Sequence, residues 1–124
     1  MGERLEAFAK FREEMNDKIL GAGNKNINRF FALDSRAYDD GALDRRTKEI
    51  AGLTASLVLR CDDCITYHVV QCHELGMSRE ELLEALNVGL IVGGSIVIPH
   101  MRRAVAVIEE LDAKAEAEAQ ERQA

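Results

Sequence analysis

The chain has 124 residues, enough for one domain with one modest core. Apolar residues make up 47% of it, more than a domain this size needs when it stands alone, so self-association is expected. A formal net charge of −6 opposes binding to nucleic-acid phosphates and to anionic membranes, so neither is an expected partner.

In chain order, the first predicted helix runs from about Glu3 to Leu20, with Leu5, Phe8, Phe11, Met15 and Ile19 on one apolar stripe. Gly21-Ala22-Gly23-Asn24 stops it. Asn28 to Tyr38, carrying Phe30, Phe31 and Leu33, reads as a short helix, and Asp39-Asp40-Gly41 as a turn. Asp44 is an N-cap for a helix expected to reach about Arg60, with Ile50, Leu53, Leu57 and Val58 facing the core. A further helix follows Cys61-Asp62-Asp63-Cys64 and ends at Leu75, where Gly76 supplies a left-handed cap. Ser78-Arg79-Glu80-Glu81 is a capping box for the next helix, Glu80 to about Val92. Pro99 starts the last helix, which reaches Leu111 and continues as an Ala/Glu/Gln-rich tail, residues 112–124, expected to be a frayed, solvated helix.

Strand-like alternation is sustained nowhere. The expected fold class is therefore all-α, one domain of five to six helices over residues 1–124, without an internal repeat or linker. Ala85 to Ile98 is apolar nearly all round, and such a helix must be covered on most sides. A chain this short cannot supply that cover alone, so a homo-oligomer is expected. The same stretch is too short to span a bilayer and is broken by Gly93-Gly94. Met1-Gly2-Glu3-Arg4-Leu5-Glu6 is charged, lacks the apolar run of a secretory signal and fails the myristoylation pattern at Glu6. The three cysteines, an odd number, do not suggest a secreted disulfide scaffold. A soluble, cytoplasmic protein is the expectation.

The run Cys61-Asp62-Asp63-Cys64-Ile65-Thr66-Tyr67-His68 carries the chemistry. Cysteines three apart in a helical turn have Cα atoms about 5–6 Å apart, within disulfide reach. His68, four residues after Cys64, shares its helix face, where imidazole can take the thiol proton or stabilise the thiolate. Free N–H groups at a helix start near Asp62 favour a thiolate further. Asp62 and Asp63 act in the opposite sense, because carboxylates raise a thiol pKa, although they also suit the first turn of a helix. The residues alone leave this balance open.

They also leave two other readings open. Cys61, Cys64 and His68, with Cys72 as a fourth ligand, could hold zinc, although ligands drawn from one helix wrap a metal poorly. Structural cysteines are the third and weakest reading. Cys72 by itself reads as a small buried apolar residue, and His73 and His100 as surface or packing residues. Glu49, flanked by Lys48, reads on its own as a surface glutamate, and Tyr67 as either a pocket or a packing residue.

The stretch from about Leu43 to Leu111 resembles the carboxymuconolactone decarboxylase family, and within it the alkylhydroperoxidase D-like branch. The resemblance rests on Arg46-Thr47-Lys48-Glu49, on Cys61-x-x-Cys64-x-x-x-His68 twelve residues later, on Gly76-Met77-Ser78-Arg79-Glu80-Glu81-Leu82 and on Gly93-Gly94. It implies an all-helical fold assembled into trimers or hexamers. It implies a thiol-dependent peroxidase and disulfide reductase without a cofactor or metal, acting on a hydroperoxide or a disulfide and regenerated by a thiol electron donor. In that scheme Glu49 is the general base of a relay through water to His68, His68 deprotonates Cys64, Cys64 attacks peroxide, and Cys61 is the resolving and exchange thiol. Peroxidases of this branch often carry His before the second cysteine, where this chain has Asp63. The decarboxylases that name the family lack the cysteine pair, which argues against lactone decarboxylation here.

Overall fold

The computed structural model describes residues 2–123. The Leu53/Leu57 stripe is fully buried, and the helix that carries it packs against two of the helices that follow it. Six helices result: α1 (Glu3–Gly21), α2 (Lys25–Ala37), α3 (Arg45–Val58), α4 (Asp62–Glu74), α5 (Arg79–Gly93) and α6 (Ile98–Gln123), with a 3-10 turn over Ser95–Val97 and no strand among the described residues. The expected all-α class stands.

The core lies between the last four helices. α3 packs on α4 and α5, and α4 also packs on α6. Leu53, Leu57, Ile65, Val69, Cys72, Leu82, Leu86, Val97 and Ile108 are fully or almost fully buried there. Burying a side chain of this kind stabilises the fold by roughly 1.5–3 kcal/mol before entropy is counted. α3 and α5 approach closely at Gly89, where a β-carbon would fall 2.9 Å from Leu57 Cδ2.

The predicted caps form. Asp44 accepts from the Thr47 N–H at 2.8 Å. Ser78 accepts from the Glu81 N–H at 3.2 Å, while Glu81 accepts from the Ser78 N–H at 3.0 Å, completing the capping box. Gly76 takes φ +84°, in the left-handed region, as expected.

α3 ends differently from the expectation. It stops at Val58, and Arg60 adopts φ +58°, the one non-glycine residue in that region among those described. The Arg60 N–H donates to Leu57 O and the Cys61 N–H to Ser56 O, which is the Schellman pattern with arginine where glycine usually sits. Nothing in the local sequence marks it, because the residue is not the one the turn prefers. Its effect is to swing the chain so that Cys61 becomes the N-cap of α4.

α1 and α2 bury no residue of their own. α1 lies along α6, where the Leu5 N–H donates to Glu110 Oε1 at 3.2 Å, and α6 continues as regular helix to Gln123. α2 begins at Lys25 rather than Asn28, capped by Asn24, and leaves Phe30 70% and Leu33 61% exposed. On α5, Ile91 is 76% and Val92 70% exposed, so this helix is not covered within one chain. No helix of the described residues is long and apolar enough to cross a membrane.

Candidate active site

The left-handed turn at Arg60 delivers Cys61 to the start of α4, where its Sγ accepts the Cys64 N–H at 3.2 Å. A sulfur in that position faces the positive end of the helix, which favours a thiolate there. Cys61 and Cys64 are paired as a disulfide, with Cα atoms 5.2 Å apart. Cys64 is exposed and Cys61 half-buried, so an incoming reagent meets Cys64 first.

One turn further on, His68 points inward and is 8% exposed. Its Nδ1 lies 2.7 Å from Oε2 of Glu49, which is 0% exposed. Glu49 is thus a buried residue, not the surface glutamate its charged neighbours suggest. The water that the resemblance places between Glu49 and His68 has no room in a direct contact of this length. Arg45, one turn before Glu49 on α3, brings its guanidinium to 3.9 Å from Glu49 Oε1 and donates to Gln71 Oε1 at 3.3 Å. Glu49 Oε1 is buried and makes no hydrogen bond.

Three further groups shape the imidazole's surroundings. Gly52, one turn after Glu49, lies against the ring face. Tyr67 packs edge-on at 5.1 Å between centroids and carries the Arg12 guanidinium 4.5 Å from its own ring centroid. Tyr67 also lines a groove of about 850 Å³ between α1, α4 and α6, which does not include His68 or the cysteine pair. Tyr38, the C-cap of α2, places its hydroxyl 3.3 Å from His68 Nε2. Burial, then the charge of Glu49, pushes the Tyr38 phenol above its ordinary pKa, and the Tyr67 phenol likewise. Among the described residues, no hydrogen bond joins His68 to either cysteine sulfur.

Asp62 is held from α6: His100 Nδ1 lies 2.8 Å from its Oδ1, and Arg103 donates to its Oδ2 at 3.0 Å. His73 pairs with Asp112 at 3.1 Å. Both histidines, expected only on the surface or in packing, therefore hold carboxylate partners. Cys72 is 0% exposed in the apolar core, and burial, with the Glu49 charge second, pushes its thiol up to about 12. Among the described residues no cluster of His, Cys, Asp and Glu is arranged to hold a metal ion, so the four proposed zinc ligands do not converge.

The structure thus pairs Glu49 with His68 and Cys61 with Cys64 one turn before His68, and places Cys72 in the apolar core. Sequence reasoning missed Tyr38, Arg45, Gly52, His100 and Arg103. Only Arg45 and Gly52 carried a local signal, since both lie one turn from Glu49 on its own helix.

A buried carboxylate–imidazole pair beside a vicinal cysteine pair, on a six-helix frame, defines the class to which the comparisons also point. Residues 26–110 match the carboxymuconolactone decarboxylase family, and the chain belongs to it. Two crystal structures of one Thermotoga maritima protein are 54% identical over 90% of this chain. They cover 98% and 94% of the compared chains, with TM-scores of 0.87 and 0.85. The second is described as a carboxymuconolactone decarboxylase family protein with a suggested part in an antioxidative response. A family member from Legionella pneumophila is 32% identical, covering 88% of this chain and 90% of that one, with a TM-score of 0.62. A Paracoccus denitrificans protein known as uncharacterized protein 4 in the cox locus is 33% identical over 91 residues, 73% of this chain and 82% of its own.

Proposed function

We propose that this protein is a thiol-dependent peroxidase and disulfide reductase in which the Glu49–His68 pair activates the Cys61–Cys64 dithiol. The observation that carries this reading is the 2.7 Å contact between His68 Nδ1 and a fully buried Glu49, one turn after the exposed Cys64. An imidazole whose Nδ1 is held by a carboxylate is fixed in orientation and presents its other nitrogen as the proton acceptor. The antioxidative role suggested for the Thermotoga maritima relative agrees with it.

In the forward half, the Cys64 thiolate attacks the distal oxygen of a hydroperoxide. An S–O bond forms, the O–O bond breaks, and the leaving alkoxide takes a proton to become an alcohol. The Cys61 thiol then displaces water from the Cys64 sulfenic acid, closing the disulfide. In the return half, two equivalents of a donor thiol reopen it. The donor attacks the Cys61 sulfur, the exchange position the resemblance assigns, and Cys64 leaves as a thiolate one turn before His68. A disulfide substrate is reduced by the same dithiol run in the opposite sense.

The working form is proposed to be a homo-oligomer, trimer or hexamer, in the cytoplasm. The bare apolar faces of α2 and α5 support the assembly. The function is tested by adding limited hydroperoxide to fully reduced protein. A mass loss of two hydrogens with Cys61 and Cys64 joined is expected, and an unchanged mass contradicts it.

A further inference from the structure

Resting on that thiol reading, we propose that Arg45 is a positioning residue for the base: its guanidinium balances the buried Glu49 carboxylate, so that His68 is left neutral and free to take the thiol proton. While His68 is neutral, Glu49 is a carboxylate with no exposure to water, and such a charge is costly unless a cation or hydrogen-bond donors meet it. Oε2 has the His68 Nδ1 contact at 2.7 Å, but Oε1 makes no hydrogen bond. The Arg45 guanidinium, at 3.9 Å, is the cation that faces Oε1. Without that charge, the carboxylate is best met by an imidazolium, which has no free nitrogen left to act as a base.

Arg45 is held at both ends. It lies one turn before Glu49 on α3, its backbone N–H donates to Asp40 Oδ1 at 2.7 Å, and its guanidinium donates to Gln71 Oε1 on α4 at 3.3 Å. The neighbouring cations are committed elsewhere. Arg46 pairs with Glu81 of α5, Lys48 donates to the Asp39 carbonyl at 2.6 Å, and Arg12 of α1 lies over the Tyr67 ring. The other titratable groups that feel Glu49 are Tyr38 at the end of α2 and Tyr67 and Cys72 on α4; burial and the Glu49 charge make each of them hold its proton more tightly. Asp34 of α2 acts on the two tyrosines in the same sense. The charges balance. Arg45, Glu49 and a neutral His68 sum to zero, and once His68 takes the thiol proton they carry one positive charge against the thiolate.

The Arg45 side chain is 44% exposed, so replacing it leaves the core intact. In the full reduced chain, single-turnover oxidation by hydrogen peroxide is followed across about pH 5 to 9. Removing a cation makes nearby protons harder to lose. Arg45→Met is therefore expected to move the acid limb of the rate–pH profile up by about half a unit, the size expected of one partly exposed charge. Arg45→Lys, which keeps the charge, should leave that limb close to the wild-type position. An unmoved limb in Arg45→Met overturns the proposal. A limb moved equally by Lys and Met assigns Arg45 to shape rather than charge and overturns it too. His68→Gln separates the two levels: if it slows oxidation while Arg45→Met leaves the profile unmoved, only the role of Arg45 fails. If His68→Gln leaves oxidation unchanged, the thiol reading fails as well.

Discussion

The imidazole of His68 lies against the backbone of Gly52, where a β-carbon would fall 2.7 Å from Cε1, 2.9 Å from Nε2 and 3.0 Å from Nδ1. The ring cannot retreat without leaving Glu49 or Tyr38, because both of its nitrogens are engaged. Gly52→Ala is therefore expected to displace His68. Alanine gains about 1 kcal/mol of helix propensity and overpacking costs about 1–3 kcal/mol, so the net is a loss of about 0–2 kcal/mol. Activity is the sensitive readout: hydroperoxide reduction should fall on the order of a hundredfold, measured at a temperature well below the melt of the variant. A fully active Gly52→Ala protein would show that the ring's position is immaterial.

Cys72 should be silent. Its thiol is buried and pushed up to about 12, so it carries almost no thiolate at neutral pH. After mild reduction, an alkylating reagent at pH 8 should label Cys61 and Cys64 and reach Cys72 only on unfolding, as read by peptide mass mapping. The sign of the linkage follows. The unfolded thiol ionises near 9 and the folded one only near 12, so this group's contribution to stability is whole below about 9 and declines as pH rises through that window. Labelling of Cys72 in the folded protein as fast as of Cys64 would refute the assignment.

Asp62 sits next to Cys61, and its charge is met by His100 and Arg103. This bears on one of the two carboxylates in the balance that the residues alone leave open: paired with cations, Asp62 opposes a thiolate less than a bare carboxylate would. His100→Gln together with Arg103→Ala should release that charge and raise the pKa of the reduced pair. The rise should be below about one unit, since partly exposed ion pairs are worth roughly 0–1 kcal/mol. A pH titration of thiolate absorbance reads it, and a lowered pKa would contradict the argument.

The apolar faces of α2 and α5 carry the expectation of assembly. Light scattering should give a multiple of 13.8 kDa, and Ile91→Glu, which puts a charge on a 76% exposed isoleucine, should reduce that mass. A monomer mass for the unaltered chain at micromolar concentration would sink the proposal.

What was legible in the sequence was local. The Leu53/Leu57 stripe, the Asp44 cap and the Ser78–Glu81 box each involve residues within four positions of one another, and each formed as expected. The cysteine–histidine spacing is likewise one stretch of helix. The end of α3 is not legible in the sequence, because arginine, not glycine, takes the left-handed position at residue 60. Glu49 reads as surface from its charged neighbours alone and as a partner of His68 only through the family resemblance, because the contact is made by the packing of α3 on α4. Tyr38 lies 30 residues from His68, and Arg103 41 from Asp62. No periodicity reports a contact made across that separation.

The central claim is that the buried Glu49–His68 pair activates the thiol at Cys64. It is tested most directly by the rate of Cys64 alkylation in reduced protein across about pH 6 to 9, in wild type and His68→Gln. The free thiol value is about 8.5. The account predicts a wild-type midpoint below that value, and for His68→Gln a midpoint shifted upward with slower alkylation near neutrality, because less thiolate is present. Superimposable profiles for the two proteins would leave the cysteine pair without its base and contradict the account.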